Sequence, residues 1–194
     1  MGLRDLYEMN QRGVTFVPRA YPFRGIRYHR TLAEDLGRLI CPPYDVISPE
    51  DRVRYCNMHP YNSVRLELPA EGYSEAAETL SRWMKSGILA QEGRPAIYVY
   101  RQRFRLGEKD RVRTALLASV EVCSPTPGDI FPHEQVRPKP VEDRLNLLRA
   151  TGVMSSPIFA ICEDRDGTIA KRIEEVLGAR EEGQTLRFES PDGI

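Results

Sequence analysis

Two stretches with strand-like residues, Pro95 to Leu106 and Arg111 to Val122, flank the short polar segment Gly107-Glu-Lys-Asp110. A glycine-led turn between two long β-type runs commits this region to an antiparallel hairpin. Within it, Tyr98, Tyr100 and Phe104 recur with period two, which reads as sheet packing. A base-stacking platform would require a basic field around those rings.

The flanking segments are helical in pattern. Ser48-Pro-Glu-Asp51 places a hydroxyl N-cap, a proline at the first helical position and two acids in the first turn, so a helix should run to about Asn57. Tyr73, Ala76, Ala77, Leu80, Trp83 and Met84 follow the i, i+3, i+4, i+7 rule, and Gly87 closes that helix. Val141, Leu145 and Leu148 mark a short helix, and Ile169, Ile173, Val176 and Leu177 another. Tyr21 to Tyr28 reads as extended, and Val14 to Val17 as a short edge strand. The alternation Ser63-Val-Arg-Leu-Glu-Leu68 predicts a half-buried strand, Pro157 to Cys162 a buried strand, and Thr185 to Phe188 the start of another. Between the hairpin and the later helices, Ser124 to Pro140 holds five prolines and reads as a long ordered loop. The expected fold is α+β: a mixed, mainly antiparallel sheet with the hairpin at about 95–122 and flanking amphipathic helices, forming one domain over 1–194. The closing Asp192-Gly-Ile194 reads as an unfinished hairpin, which predicts the N-terminal part of a longer protein.

Composition excludes several classes. Hydrophobic residues make up 41% and charged residues 29% of the 194, ordinary for a globular chain. No apolar run approaches the roughly 20 residues of a membrane span, and the N-terminus has no signal core, so a cytoplasmic protein is expected. Lys plus Arg and Asp plus Glu both total 28, which argues against a general nucleic-acid binder. Cys41, Cys56, Cys123 and Cys162 lack the spacing of a zinc site or a disulfide framework, and three histidines are few for a metal centre. Gly-x-Gly-x-x-Gly, Walker A, Gly-x-Ser-x-Gly and His-Glu-x-x-His motifs are absent from the sequence.

The richest chemical segment is Phe131 to Arg144. It gathers His133, Glu134, Arg137, Lys139, Asp143 and Arg144 on a proline-stiffened loop entering a helix. A His beside a Glu offers acid–base capacity near neutral pH, and cations at a helix start suit phosphate or carboxylate. The plainer reading is a solvated charged loop. In Cys41-Pro-Pro-Tyr-Asp45, two prolines fix the backbone that presents Tyr44 and Asp45; the plainer reading is a capped turn. Arg24 and Arg27 flank Gly25, whose lack of a Cβ permits close approach, and these arginines either bind an anion or pair with surface acids. Asn62 is a further polar candidate.

Taken in order, seven segments resemble one family: Pro22–Tyr28; Cys41–Ser48; Pro60–Asn62 with Arg65–Leu68; Trp83–Leu89; Pro95–Gln102; Pro132–Glu134 with Asp143–Leu145; and Ser156–Phe159. The family is Domain of Unknown Function 1015. Its members are longer, with a second half bearing a segment similar to Asp-Gly-His-His-Arg, like that of ParB/sulfiredoxin-like proteins. That superfamily includes nucleotide-using enzymes, among them a free-serine kinase. This chain has no adjacent histidines, and Val136 stands where a Thr is expected after His-Glu-x. The resemblance implies a small-molecule phosphotransfer or nucleotide-dependent enzyme acting on serine or phosphoserine. Glu134 would be the base or a metal-associated carboxylate, and His133 its orienting partner. Arg24, Asp45, Asn62, Lys139, Asp143 and Arg144 would hold substrate. ATP or ADP with magnesium is the implied cofactor class, no metal being held by the chain itself. The expected partner is a small anionic or amino-acid-like ligand, with a homodimer as a further form. The competing expectation is a non-catalytic regulatory or protein-interaction module.

Overall fold

One extended segment, residues 20–28, organises the strands. Its first part, β1 (Ala20–Tyr21), pairs antiparallel with β6 (Ser119–Val120). Phe23 then exchanges two backbone hydrogen bonds with Ala96, at 3.0 and 2.9 Å. Its last part, β2 (Ile26–Tyr28), pairs antiparallel with β3 (Leu89–Gln91). The hairpin strands β4 (Tyr98–Leu106) and β5 (Lys109–Leu117) pair with each other in continuous register. The computed structural model describes residues 18–122, 130, 137–179 and 188–189. The Val14–Val17 edge strand, the Asp192–Ile194 turn and nearly all of the Thr185–Phe188 strand lie outside them.

The protein is α+β, with short antiparallel sheets and helices. The hairpin is tighter than the sequence predicted: Gly107, at φ +60°, turns the chain within two residues, so Lys109 and Asp110 already belong to β5. Both long runs also leave the hairpin at its base, since residue 96 and β6 pair with the 20–28 segment.

Gly25 is required by this arrangement. The Tyr98 hydroxyl accepts from Gly25 N at 2.9 Å and donates to Phe23 O at 3.3 Å. A Cβ on Gly25 would stand 2.9 Å from that oxygen, and the Tyr98 ring is also held edge-on to Phe23. The close approach expected at Gly25 is therefore made by the hairpin's first tyrosine.

Four longer helices follow their sequence signals. The helix α2 (Pro49–Met58) begins with Ser48 Oγ accepting from Asp51 N at 3.0 Å. The helix α4 (Tyr73–Lys85) buries Ala76, Thr79 and Trp83. It ends with Ile88 N bonded to Trp83 O and Gly87 at φ +73°, a Schellman closure. The helix α5 (Pro138–Thr151) packs against α4, and α6 (Thr168–Gly178) starts where Asp164 accepts from Ile169 N and Ala170 N. A four-residue helix α1 (Leu36–Leu39) completes the inner layer. Leu39, Val64 and Ala76 are wholly buried there, with Tyr55, Trp83 and Leu147 nearly so. Tyr28 crosses this core and donates to Leu39 O at 3.1 Å and Tyr61 O at 2.7 Å. Its burial pushes the phenol well above the ordinary tyrosine range.

Four expectations are corrected. Residues 63–68 are not a strand: Val64–Glu67 is a short helix, α3. Asn62 Oδ1 accepts from Val64 N at 2.9 Å and Asn62 O from Arg65 N, starting a turn that turns Val64 and Glu67 inward together. Residues 157–162 form no strand and are exposed, with Ile158 85% and Ile161 88% accessible. Of the loop expected over 124–140, residues 124–129 and 131–136 lie outside the described residues, and Pro138 opens α5, so Lys139 and Pro140 are helical. On α5, Val141 and Leu145 are exposed while Leu147 is buried, so the packed face carries Asp143 and Arg144.

Replacing Gly25 with Ala should cost about 1–3 kcal/mol through overpacking against a pinned tyrosine. The melting temperature is expected to fall by several degrees. An unchanged value would mean that Tyr98 is not held over this backbone.

Candidate functional site

A carboxylate out of water needs a matching cation and enough donors to offset its lost hydration. Glu67, the last residue of α3, presents such a group, its side chain only 10% exposed. Arg144 Nη1 lies 3.2 Å from Glu67 Oε2, and Ser156 Oγ donates to the same oxygen at 2.8 Å. Arg144 also donates from Nη1 and Nη2 to the Glu67 carbonyl at 3.2 Å. Its Nε and Nη2 meet Asp143 Oδ2 at 2.9 and 2.5 Å. All five guanidinium N–H groups thus have an acceptor within the chain. One guanidinium face lies 3.9 Å from the Tyr44 ring centroid, a cation–π contact.

The backbone explains why these groups meet. Pro42 and Pro43 deliver a single 3-10 turn, Tyr44–Val46, that sets the Tyr44 ring. Packing of α5 on α4 lets Tyr73, at the start of α4, donate to Asp143 Oδ1 at 2.8 Å. Burial acts to raise the Asp143 carboxyl, but hydrogen bonds from Arg144 and Tyr73 outweigh it and hold it below the usual carboxylate range. The same bond to Asp143 raises the Tyr73 phenol, with burial adding to it.

Beside this centre, Cys41 Sγ lies 3.2 Å from Ser63 Oγ. Burial, partly offset by the Ser63 hydrogen bond and reinforced by the charge of Glu67, pushes the Cys41 thiol up to about 11. At neutral pH this sulfur is a thiol and a poor nucleophile.

The other sequence-predicted residues are dispersed. His133 and Glu134 lie outside the described residues. Lys139 is exposed in the first turn of α5, and Asp45 is exposed beside Tyr44. Asn62 is wholly buried; its Nδ2 donates to Arg38 O at 2.8 Å and Ile40 O at 3.0 Å, so its amide ties α1 to α3. Arg24 Nε donates to Glu92 O at 2.8 Å, and Arg27 pairs with the Glu92 carboxylate, both at the β2–β3 pair. Among the described residues, no group of three or more His, Cys, Asp or Glu side chains could hold a metal ion, and no helix is long and apolar enough to cross a membrane.

Glu67, Tyr73 and Ser156 were missed as site residues. A strand over 63–68 would have turned Glu67 away from the apolar face, whereas a helix brings it alongside Val64. Four of the segments that carry the family resemblance meet here, through Tyr44, Glu67, Arg144 and Ser156. The family model described as "Protein of unknown function (DUF1015)" matches residues 20–194. The chain belongs to the DUF1015 family. No curated protein and no solved structure matches it. In this DUF1015 chain the matched span includes the whole Glu67–Arg144 centre.

Three outcomes are expected from this geometry. Ser156→Ala removes a donor to a buried carboxylate and should cost about 2 kcal/mol in denaturant unfolding; a loss under about 0.5 kcal/mol would contradict the contact. The pH dependence has a defined sign. Cys41 and Tyr73 hold their protons more tightly when folded, so the unfolded chain releases them first and stability should decline as pH rises above about 9. Asp143 acts on the acid side: its depressed folded value gives stability above about 4 that is lost as pH falls further. Thermal melts across pH would show both flanks, and iodoacetamide at neutral pH should label the exposed Cys162 well before Cys41.

Proposed function

We propose that this chain contributes a small-molecule site for phosphotransfer or nucleotide-dependent chemistry on an amino-acid-like substrate such as serine or phosphoserine. The observation that carries the reading is the fixing of α5. A single guanidinium on its second turn locks it to α3 and to the Tyr44–Asp45 turn. The His133-Glu134 pair lies immediately upstream in sequence, and Lys139 stands exposed on the first turn. Catalytic groups work when rigid elements position them to within a fraction of an ångström. In this reading Glu134 is the base, His133 orients it, and Lys139 with Arg24 attracts an anionic group. Asp45 borders the substrate, Asn62 braces α1 against α3 from within the core, and Asp143–Arg144 is the frame behind the site. ATP or ADP with magnesium would supply or accept the phosphoryl group.

A second reading has its own support. Arg144 has all its donors engaged internally, so an anion would have to displace Glu67 or Asp143. That favours a non-catalytic regulatory or interaction module, in which the same cluster is only a clamp.

Thermal shift with magnesium and ATP, ADP or phosphoserine separates the two. A ligand at about 100 times its Kd adds about 2.7 kcal/mol, which for a chain of this size is a rise of several degrees. The first reading expects that rise in the wild type and its loss in Glu134→Ala. No rise with any of these ligands supports the second.

A further inference from the structure

The register of the hairpin separates its side chains into two faces. Residues 98–117 contain six basic and two acidic side chains, a local excess of four in a chain whose net charge is zero. All six basic residues are exposed. On one face Tyr100 and Phe104 stand among Lys109, Arg111 and Arg113, because Phe104 pairs with Arg111 and Gln102 with Arg113. On the other face Arg101, Arg103 and Arg105 follow one another at every second position, with Arg101 paired to Glu174. The basic field that the aromatic stripe needed is therefore present, though neither the chain's total charge nor the stripe alone indicated it.

The aromatic face carries a second, adjoining feature. The Arg113 guanidinium lies 5.8 Å from the Phe104 ring and 5.0 Å from that of Phe159. Phe159 is 61% exposed and Tyr100 42% exposed. The open Phe159 ring beside the Arg113 cation, and the open Tyr100 ring on the same hairpin face as Arg113, offer a surface on which flat, electron-rich rings can stack. Nine paired positions at roughly 3.4 Å each give a ribbon about 30 Å long, enough to follow several nucleotides.

We infer that the β4–β5 hairpin binds single-stranded nucleic acid, bases stacking on Tyr100 and Phe159 and phosphates running along Lys109 and Arg111. A second copy of this chain is a poorer occupant, since two such hairpins repel. An acidic protein or an anionic bilayer would use the charge but leave the exposed rings without a planar partner. The duplex is poorer too, because its bases are already stacked and offer no face to a tyrosine.

The test uses the full chain and a short fluorescein-labelled oligothymidylate, read by fluorescence anisotropy. Binding at low salt is expected, with affinity falling on a log–log salt plot by about 0.7 per neutralised phosphate. Arg111→Ala should flatten that slope by about 0.7. Tyr100→Ala should weaken binding about 10-fold, and Tyr100→Trp should preserve it. Circular dichroism melts of each variant check that the hairpin still folds. Duplex DNA or phosphatidylserine vesicles binding as tightly as the single strand would overturn the inference. So would an affinity indifferent to both Tyr100→Ala and Arg111→Ala, or no binding at low salt.

Discussion

The interaction on which the meeting of α3, α5 and the Tyr44 turn depends is the ion pair of the buried Glu67 with the part-buried Arg144. Taking a carboxylate out of water costs several kcal/mol, and one ion pair rarely offsets that on its own. Here the carboxylate also receives the Ser156 hydroxyl, and the guanidinium is satisfied by Asp143 and by the Glu67 carbonyl. Because the partners come from separate elements, satisfying the charge assembles them. The turn bearing Tyr44, the short helix α3, the packed face of α5 and the chain at Ser156 meet where one arginine has used every donor. Removing Arg144 leaves the Glu67 carboxylate buried without a cation, a larger loss than the net worth of the pair, whereas removing Glu67 leaves Arg144 its Asp143 partner.

Seen from the sequence, the chain divides by the range of the forces involved. The hairpin and the helices α2, α4, α5 and α6 were legible because their signals are local: period-two aromatics around Gly107, the Ser48-Pro49 cap, and the 3.6-residue stripe through Trp83. The error at 63–68 has the opposite origin. Val64, Leu66 and Leu68 alternate like a strand, but Asn62 starts a helical turn there while its amide reaches Arg38 O and Ile40 O, more than twenty residues away. No local pattern records that contact. The same error hid Glu67, so the site was half legible: Asp143 and Arg144 stood out as charges at a helix start, while their partner looked like the outer face of a strand.

The apolar face of α5 was misread for a related reason. Val141, Leu145 and Leu148 fit a helical stripe, yet the helix is rotated so that Asp143 meets α4 and Arg144 meets α3 and Tyr44. A charge placed inward overrides an aliphatic stripe once its acceptors are buried and fixed. The hairpin shows a complementary lesson. Zero net charge over the chain concealed a ribbon with a strong local excess of cations, which only the cross-strand register brings together. The meeting of α3, α5 and the Tyr44 turn is therefore held by one ion pair, while the exposed basic and aromatic residues of the hairpin lie on a separate arm.

The most direct test of the central claim is a double-mutant cycle with Glu67→Gln and Arg144→Met, followed by urea unfolding of the wild type, both single variants and the double. If the pair assembles the fold, Arg144→Met costs about 3–5 kcal/mol, and Glu67→Gln, which leaves Arg144 its Asp143 partner, costs less. The double variant then loses clearly less than the sum, with a coupling energy of about 2 kcal/mol or more. Additive losses, with coupling below about 0.5 kcal/mol, would mean that the two side chains stabilise the chain independently and would contradict the account.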